Sequence, residues 1–374
     1  SPSGEKLNAS VGLTAVPSTE TVKGQDDFAN HSAFQTIDCN FVIDEQENKT
    51  PVAIKGGNGY SDIGKVDVGV MVPLTYWGIQ KFDTYYIVHF ATKPHPELEC
   101  TTVTPWCNKE LGYGILTKYY AGQIDGILYS SSGNAIYNFV SAQSGNTELQ
   151  KKGTGYHGSG SERTAYLLCM LWMKYATKNS QKIFQGCTGF NIQTKVVQTG
   201  ENVNYVVIPT AQANSFYVGT TVSIGDATGH TDNLDRGQAY MRNIADRVKI
   251  TAIEAISGTD NSKVYVGKQN MTITEDTYIS SMPLHAGQTD KVLGVDGYVK
   301  NDGKHGGIED MVGAYYISMN ELWNKTTATT ADYYVRGTAA WSSTATNWTK
   351  IATVDLETTD DFWIGDIDID LSAG

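Results

Sequence analysis

Apolar residues follow a clear helical spacing in one stretch of this 374-residue chain. In SERTAYLLCMLWMKYA they recur three and four positions apart, which predicts a helix from Ser161 to Ala176. Ser161 is a suitable N-cap, and the carboxylate of Glu162 suits the positive end of the helix dipole. Elsewhere, short runs rich in Val, Ile, Tyr and Thr alternate with Gly and Asn, which predicts strands and turns. We therefore expect an α+β fold that is mostly β.

The first part of the chain divides into two regions by composition. Residues 1–30 are rich in Ser, Thr, Gly, Lys and Asp, which predicts an extended arm or linker with little core. Residues 31–150 are expected to form a β-rich region of hairpins. The segments FQTIDCNFVID and EQENKTPVAI predict one hairpin, and the runs Val66–Trp77 and Tyr85–Thr92 predict a second.

The sequence pattern changes after the helix. Between residues 191 and 285, short strand-like runs are separated by turn signals at intervals of roughly ten residues. This spacing predicts a small antiparallel β-barrel inserted as its own domain. Within it, DNLDRGQAYMRNIADR is compatible with a short helix or a long loop. Further strands are expected at Asp332–Gly337 and Trp348–Val354.

The charge balance excludes some classes of partner. Asp and Glu number 40 against 28 Lys and Arg, giving a formal net charge of -12. A broad phosphate-binding surface needs clustered Lys and Arg, so nucleic acid is not an expected partner. No run approaches the roughly 18 apolar residues of a membrane span, and we expect no membrane insertion. The five cysteines are widely spread and predict free thiols rather than a disulfide framework.

No catalytic constellation stands out, and no catalytic residue is assigned. The seven histidines show no recognisable catalytic spacing, although His157 and His305 lie in Gly-rich loops. The segment GSGSE, which begins at Gly158, lacks the glycine spacing of a nucleophile elbow. Glycoside cleavage needs two carboxylates at a set separation, which a sequence does not display. The expectation is therefore a non-enzymatic protein, with a hydrolase kept as an alternative.

The aromatic residues and the acidic C-terminus suggest recognition. Twenty-two Tyr against ten Phe, mixed with Asn, Ser and Thr, are typical of binding surfaces and suit sugars, although Tyr also packs on the outer faces of sheets. The best candidate for an exposed binding loop is Thr326–Trp348. Near the C-terminus, Asp366, Asp368 and Asp370 could bind Ca²⁺, the one cofactor considered. Their alternation equally fits a solvated edge strand protected by charges.

Three stretches carry a family resemblance. They are VPLTYWGIQKFDTYYIVHFATKPHPEL with the later ILTKYYAGQIDGILYSSSG, then GTGYHGSGSERTAYLLCMLWMKYATKNSQKIFQG, and finally GQTDKVLGVDGYVKNDGKHGGIEDMVGAYYISMNELW. Their order, from about Val72 to Tyr316, resembles that of bacteriophage tail and fibre proteins with a C-type-lectin-like domain. Formylglycine-generating enzymes share that fold but use a cysteine pair late in the chain. Here no cysteine follows Cys187, and Gly313 and Ala314 replace the family's Gly-Asn pair.

The resemblance implies a fold and a role. It implies that residues 151–190 and 286–374 form the lectin-like domain, interrupted by the barrel. It also implies a structural virion protein of a tail fibre, baseplate or capsid fibre, made in the bacterial host cytoplasm. The expected partners are other virion proteins, a host-surface glycan or protein, and further copies of the chain, a trimer first. The alternatives are an architectural head or tail decoration protein without ligand and a virion-associated polysaccharide hydrolase.

The residues proposed to contact the ligand fall in the last fifth of the chain. They are Tyr315, Tyr316, Trp323, Asn324, Tyr333, Tyr334, Trp341, Asn347 and Trp348.

Overall fold

The computed structural model describes residues 4–18, 22–138, 140–179, 183–184, 192–282, 285–287, 290, 297–299, 302–305, 308–309, 320–337, 339 and 341–355. The protein is mostly β, with 40% strand and 15% helix, and its antiparallel sheets are curled. The expectation of a mostly β chain is therefore confirmed. Among the described residues no helix is both long and apolar enough to cross a bilayer.

In the described residues before the first α-helix there are twelve strands. They are β1 (Ala15–Val16), β2 (Gln25–Asp26), β3 (Ile37–Ile43), β4 (Lys49–Ile54), β5 (Val68–Pro73), β6 (Tyr76–Lys81), β7 (Tyr86–Ala91), β8 (Thr102–Val103), β9 (Cys107–Asn108), β10 (Tyr113–Thr117), β11 (Gly122–Ile124) and β12 (Ile127–Tyr129). Five form a sheet in the order β4-β3-β5-β10-β9, and three form a second sheet in the order β7-β6-β8. The strands β1 and β2 pair with each other, as do β11 and β12.

The predicted hairpins are partly correct. The strands β3 and β4 form the first hairpin as expected. The second hairpin is β6 with β7, whereas β5 pairs with β3 and β10 in the other sheet. The predicted run Val66–Trp77 therefore spans two strands of different sheets. The chain leaves the first sheet at Pro73. Just beyond it, the backbone N–H of Thr75 donates a hydrogen bond of 2.9 Å to the side-chain hydroxyl of Thr104.

In the described part of the chain, two α-helices lie between these sheets and the curled sheet that follows. They are α1 (Ala142–Gln150) and α2 (Ser161–Tyr175). The helix α1 lies within the region predicted to be β-rich, and its N-cap is Ser141, whose hydroxyl accepts a hydrogen bond from Ser144 N at 3.1 Å. The prediction of α2 is confirmed, but its N-cap is Gly160 rather than Ser161.

The helix α2 supplies one side of the main core. Its buried residues Tyr166, Leu167, Cys169 and Met170 pack against a group of sheet residues. That group consists of Val70, Val72, Trp77 and Leu116, with Ile308 from the later part of the chain. The described part of the predicted arm also lies against this body. Phe28 is 1% exposed, and Asp26 pairs with buried Lys174 at 2.8 Å.

The stretch from 192 to 282 forms a curled antiparallel sheet. Its elements are β13 (Gln193–Lys195), β14 (Gly200–Val203), β15 (Tyr205–Pro209), α3 (Thr210–Ala213), β16 (Thr221–Asp226), β17 (Ala245–Ala255), β18 (Asn261–Val266), β19 (Met271–Ile273) and β20 (Thr277–Ser281). Six of these strands form the curled sheet in the order β13-β20-β16-β17-β18-β15, and the hydrogen bond from Val197 N to Val207 O joins its two edges. The strands β14 and β19 pair with each other in a separate two-stranded sheet. The ambiguous segment is a loop with a 3₁₀ turn at Ala239–Arg242, followed by β17.

Two small sheets end the described chain. They consist of β21 (Gly297–Val299), β22 (Asp302–His305) and β23 (Ile308–Glu309), and of β24 (Glu321–Lys325), β25 (Thr330–Val335) and β26 (Thr349–Asp355). Both are antiparallel, with β22 and β25 in the middle. The strands predicted at Asp332–Gly337 and Trp348–Val354 correspond to β25 and β26.

Gly69 in β5 allows close side-chain packing in the first sheet. A Cβ atom at this position would lie 2.6 Å from Ile115 Cγ2 and 2.8 Å from Phe41 Cδ1. We predict that Gly69→Ala lowers the free energy of unfolding by about 1–3 kcal/mol, because the core must shift to admit one methyl group. Urea denaturation followed by circular dichroism measures it. Gly267→Ala, whose nearest neighbour would be 3.9 Å away, is the matched control. Equal effects of the two substitutions would refute the packing argument.

Candidate functional site

The C-terminal sheet of β24, β25 and β26 presents two faces with different chemistry. Trp323 lies directly opposite Tyr333, and Asn324 lies opposite Asp332. Because successive side chains in a strand point to opposite faces, Trp323 and Tyr333 share one face, and Asn324 and Tyr334 share the other. The sequence-predicted ligand residues of this sheet are thus divided between two surfaces.

Trp323 and Tyr333 form an aromatic stack on the first face. Their ring centroids are 4.6 Å apart, with an interplanar angle of 28°. Tyr333 is 9% exposed, whereas Trp323 is 36% exposed. Tyr333 therefore supports the indole from below, and the indole offers part of its surface to solvent. A flat, partly exposed ring backed by another ring suits stacking on the apolar face of a sugar.

Two glutamates lie beside this stack, at the start of α2. Glu321 Oε1 accepts a hydrogen bond of 2.6 Å from Ser161 N, where the helix dipole favours a negative charge. Glu162 folds back over Gly160, since a Cβ atom on Gly160 would lie 2.1 Å from Glu162 Oε2. Burial and the nearby charge of Glu321 raise the pKa of Glu162.

An ion-pair cluster fixes the end of β25 against the first sheet. Arg336 donates to both oxygens of Glu47, at 2.7 and 2.8 Å, and its Nε donates to Asn320 Oδ1 at 3.0 Å. The Arg336 side chain is only 4% exposed. Burial alone would raise the pKa of Glu47, but the hydrogen bonds from Arg336 and His157 lower it to about 2. The carboxylate of Glu47 is therefore ionised across the neutral range.

His157 completes the cluster. Its Nδ1 lies 2.6 Å from Gly158 O, and its Nε2 lies 2.8 Å from Glu47 Oε2 and 2.9 Å from Arg336 Nη2. A carbonyl oxygen only accepts, so Nδ1 carries the proton. In the neutral ring Nε2 accepts from Arg336, and in the protonated ring it donates to Glu47. Both ring nitrogens of His157 thus have hydrogen-bond partners next to the Glu47–Arg336 ion pair.

Local structure places these groups in contact. Glu47 is in the left-handed region, with φ of 65°, in the turn between β3 and β4. The side chain of Asp44 holds this turn by accepting hydrogen bonds from Gln46 N and Asn48 N, at 3.0 and 2.8 Å. Gly155 allows the loop that carries His157 to approach the turn between β3 and β4, since a Cβ atom at position 155 would lie 1.9 Å from Asp44 O.

The remaining predicted site residues are distributed as follows. Trp341, Asn347 and Trp348 lie in the loop between β25 and β26, where Trp348 is buried and Asn347 is exposed with φ of 64°. The residues outside the described part of the chain are Tyr315, Tyr316, Asp366, Asp368 and Asp370. Within the described residues, no group of three or more His, Cys, Asp or Glu side chains could hold a metal ion.

Sequence reasoning missed three members of this region, Glu47, Glu321 and Arg336. Glu47 and Arg336 are 289 positions apart, and Ser161 and Glu321 are 160 apart. Such pairs leave no local pattern in a single sequence. The one available signal was Glu162, recognised only as a favourable residue for the first turn of the helix.

Comparison with known proteins adds no relative. The chain matches no family model, and neither a curated protein nor a solved structure is significantly similar to it.

The Glu47 ion pair makes stability depend on acid pH. Because the pKa of Glu47 is about 2 in the folded protein and its ordinary value is 4.5, its contribution is complete above about pH 4.5 and is lost as the pH falls towards 2. We predict that Glu47→Gln lowers the free energy of unfolding at pH 7 by about 2 kcal/mol and flattens its dependence on pH below 4.5. Urea titrations at several pH values measure both effects. Exposed Glu45→Gln, in the same turn, should change neither quantity.

Proposed function

We propose that this protein attaches to a glycan through the exposed face of Trp323. The observation that carries the proposal is the stack of Trp323 on Tyr333 beside two carboxylates. Sugar sites combine a flat apolar surface for the ring face with polar groups for the hydroxyls, and both are present here. Glu321 and Glu162 can accept hydrogen bonds from sugar hydroxyls, and Glu162 can also donate when it is protonated.

Attachment is proposed to be the role of a lectin-like domain in a bacteriophage virion. The contact of Glu321 with Ser161 supports a single unit built from the chain segments on either side of the curled sheet. Ile308, from the second of these segments, packs in the same core as Tyr166 and Leu167 of α2. We further propose that the protein is non-enzymatic, assembles with other virion proteins and forms a homo-oligomer, with a trimer as the first candidate.

The exposed indole gives the first test. We predict that Trp323→Ala weakens binding to intact cells of a susceptible strain at least tenfold, about 1.4 kcal/mol, because the stacking surface is removed. Trp323→Tyr should restore most of the binding, since it keeps a flat ring. Flow cytometry of the labelled full chain on a strain panel, before and after enzymatic stripping of surface glycans, measures it.

The matched control is Asn324→Ala: the sequence predicts Asn324 as a ligand residue, but it lies on the opposite face of the same strand from Trp323. It should bind as the unmodified protein does. Equal losses for the two variants, or binding that survives glycan stripping, would count against the glycan site. Thermal melts of every variant separate lost contacts from lost folding.

A second candidate function is glycoside hydrolysis, favoured by one observation. Glu162, with its raised pKa, and Glu321 lie at the same helix start, as a general acid and a partner carboxylate would. The two functions differ in their product. Under the binding proposal, host capsule or cell wall incubated with the protein releases no new reducing ends. Release by the unmodified protein that falls at least a hundredfold in Glu162→Gln, but not in exposed Glu110→Gln, would establish the hydrolase instead.

A further inference from the structure

A cavity of about 420 Å³ lies at the other end of α2. Three segments supply most of its walls, namely residues 4–13, residues 84–90 of β7 and the turn before it, and residues 172–178. The volume is in the range of sites for small organic molecules. The 15 residues of α2 span roughly 22 Å, so this cavity is well separated from the carboxylates at the helix start.

The inner wall of the cavity is aromatic. Phe28, Phe34 and Phe90 form a continuous row in which neighbouring ring centroids are 5.9 and 5.7 Å apart. Trp172 of α2 adds a fourth ring to the lining. Phe28 is 1% exposed, so this row is part of the protein core as well as a wall of the cavity. A ligand body that is apolar and flat would find matching surface here.

Two lysines at the cavity lie over aromatic rings, and Lys6 also interacts electrostatically with the carboxylate of Asp27. Lys178 Nζ lies 3.9 Å from the ring centroid of Tyr86 and 5.3 Å from that of Trp172. Lys6 Nζ lies 5.1 Å from the ring centroid of Phe28 and donates to Leu13 O. In the described part of the chain, neither ammonium group is within ion-pair distance of a carboxylate. Cation–π contacts leave N–H donors of an ammonium group available to an anion.

We propose that this cavity binds a small amphipathic anion, with its apolar body against the phenylalanine row and its anionic group beside Lys178. Charge complementarity supports an anion, since the lining holds two lysines and a single carboxylate, Glu5. The N-terminal segment forms the outer wall and is tied to the end of α2 by the hydrogen bond from Gly4 N to Ala176 O at 3.0 Å. This site is independent of the glycan proposal.

The test uses two probes that share one aromatic body. They are 8-anilinonaphthalene-1-sulfonate, which is anionic, and N-phenyl-1-naphthylamine, which lacks the sulfonate. We expect the folded full chain to bind each probe with one-to-one stoichiometry by fluorescence titration. Lys178→Glu should weaken binding of the sulfonate at least tenfold and change binding of the neutral probe less than twofold. Exposed Lys93→Glu, which lies just after β7 and outside the cavity, should change neither.

Deletion of residues 1–13 provides a second variant, because it removes the outer wall without touching the core. It should lose both probes while its thermal melt remains cooperative. Unsaturable binding, or an affinity for the sulfonate that Lys178→Glu leaves unchanged, would overturn the proposal. Sedimentation velocity tests the other occupant. Self-association that the probes reverse would assign the cavity to a second copy of the chain and would also overturn it.

Discussion

The buried guanidinium of Arg336 is the interaction on which the position of the C-terminal sheet depends. A charge that is only 4% exposed is tolerated when its hydrogen bonds are satisfied. Glu47 supplies both carboxylate oxygens, and Asn320 and Ala339 supply further acceptors. The end of β25 is therefore held at the turn between β3 and β4. That constraint sets which surface of the sheet faces α2.

The orientation of the sheet in turn defines the candidate glycan site. Glu321 reaches the backbone of Ser161, and the next residue on the same face of β24 is Trp323. The indole is thus carried at the rim of the helix start, supported by Tyr333. At the opposite end of α2, Trp172 and Lys178 line the aromatic cavity. One helix therefore organises two candidate sites, one rich in carboxylates and one flanked by ammonium groups.

The differences between expectation and structure have local causes. The predicted run Val66–Trp77 contains two strands that lie in different sheets, and only the second of them pairs with the strand at Tyr85–Thr92. Strand propensity does not reveal which strands pair. The helix α1 was missed because AQSGNTELQ has little apolar periodicity, and its Ser141 cap alone is a weak signal. The N-cap of α2 was placed one residue late. Ser161 has the usual chemistry of a cap, but its backbone N–H donates to Glu321 Oε1, an acceptor 160 positions away in the sequence.

The sequence by itself determined the types of the main elements. Helix α2, the strands β25 and β26 and the curled sheet after residue 192 could be predicted because hydrophobic period and turn residues act over a few positions. It also pointed to Trp323 and Tyr333 as recognition residues. Only the tertiary structure decided that these two share a face while Asn324 and Tyr334 take the other, and that Glu47 meets Arg336. Contacts across 289 residues arise from sheet register and burial, which a single sequence does not encode in any local pattern.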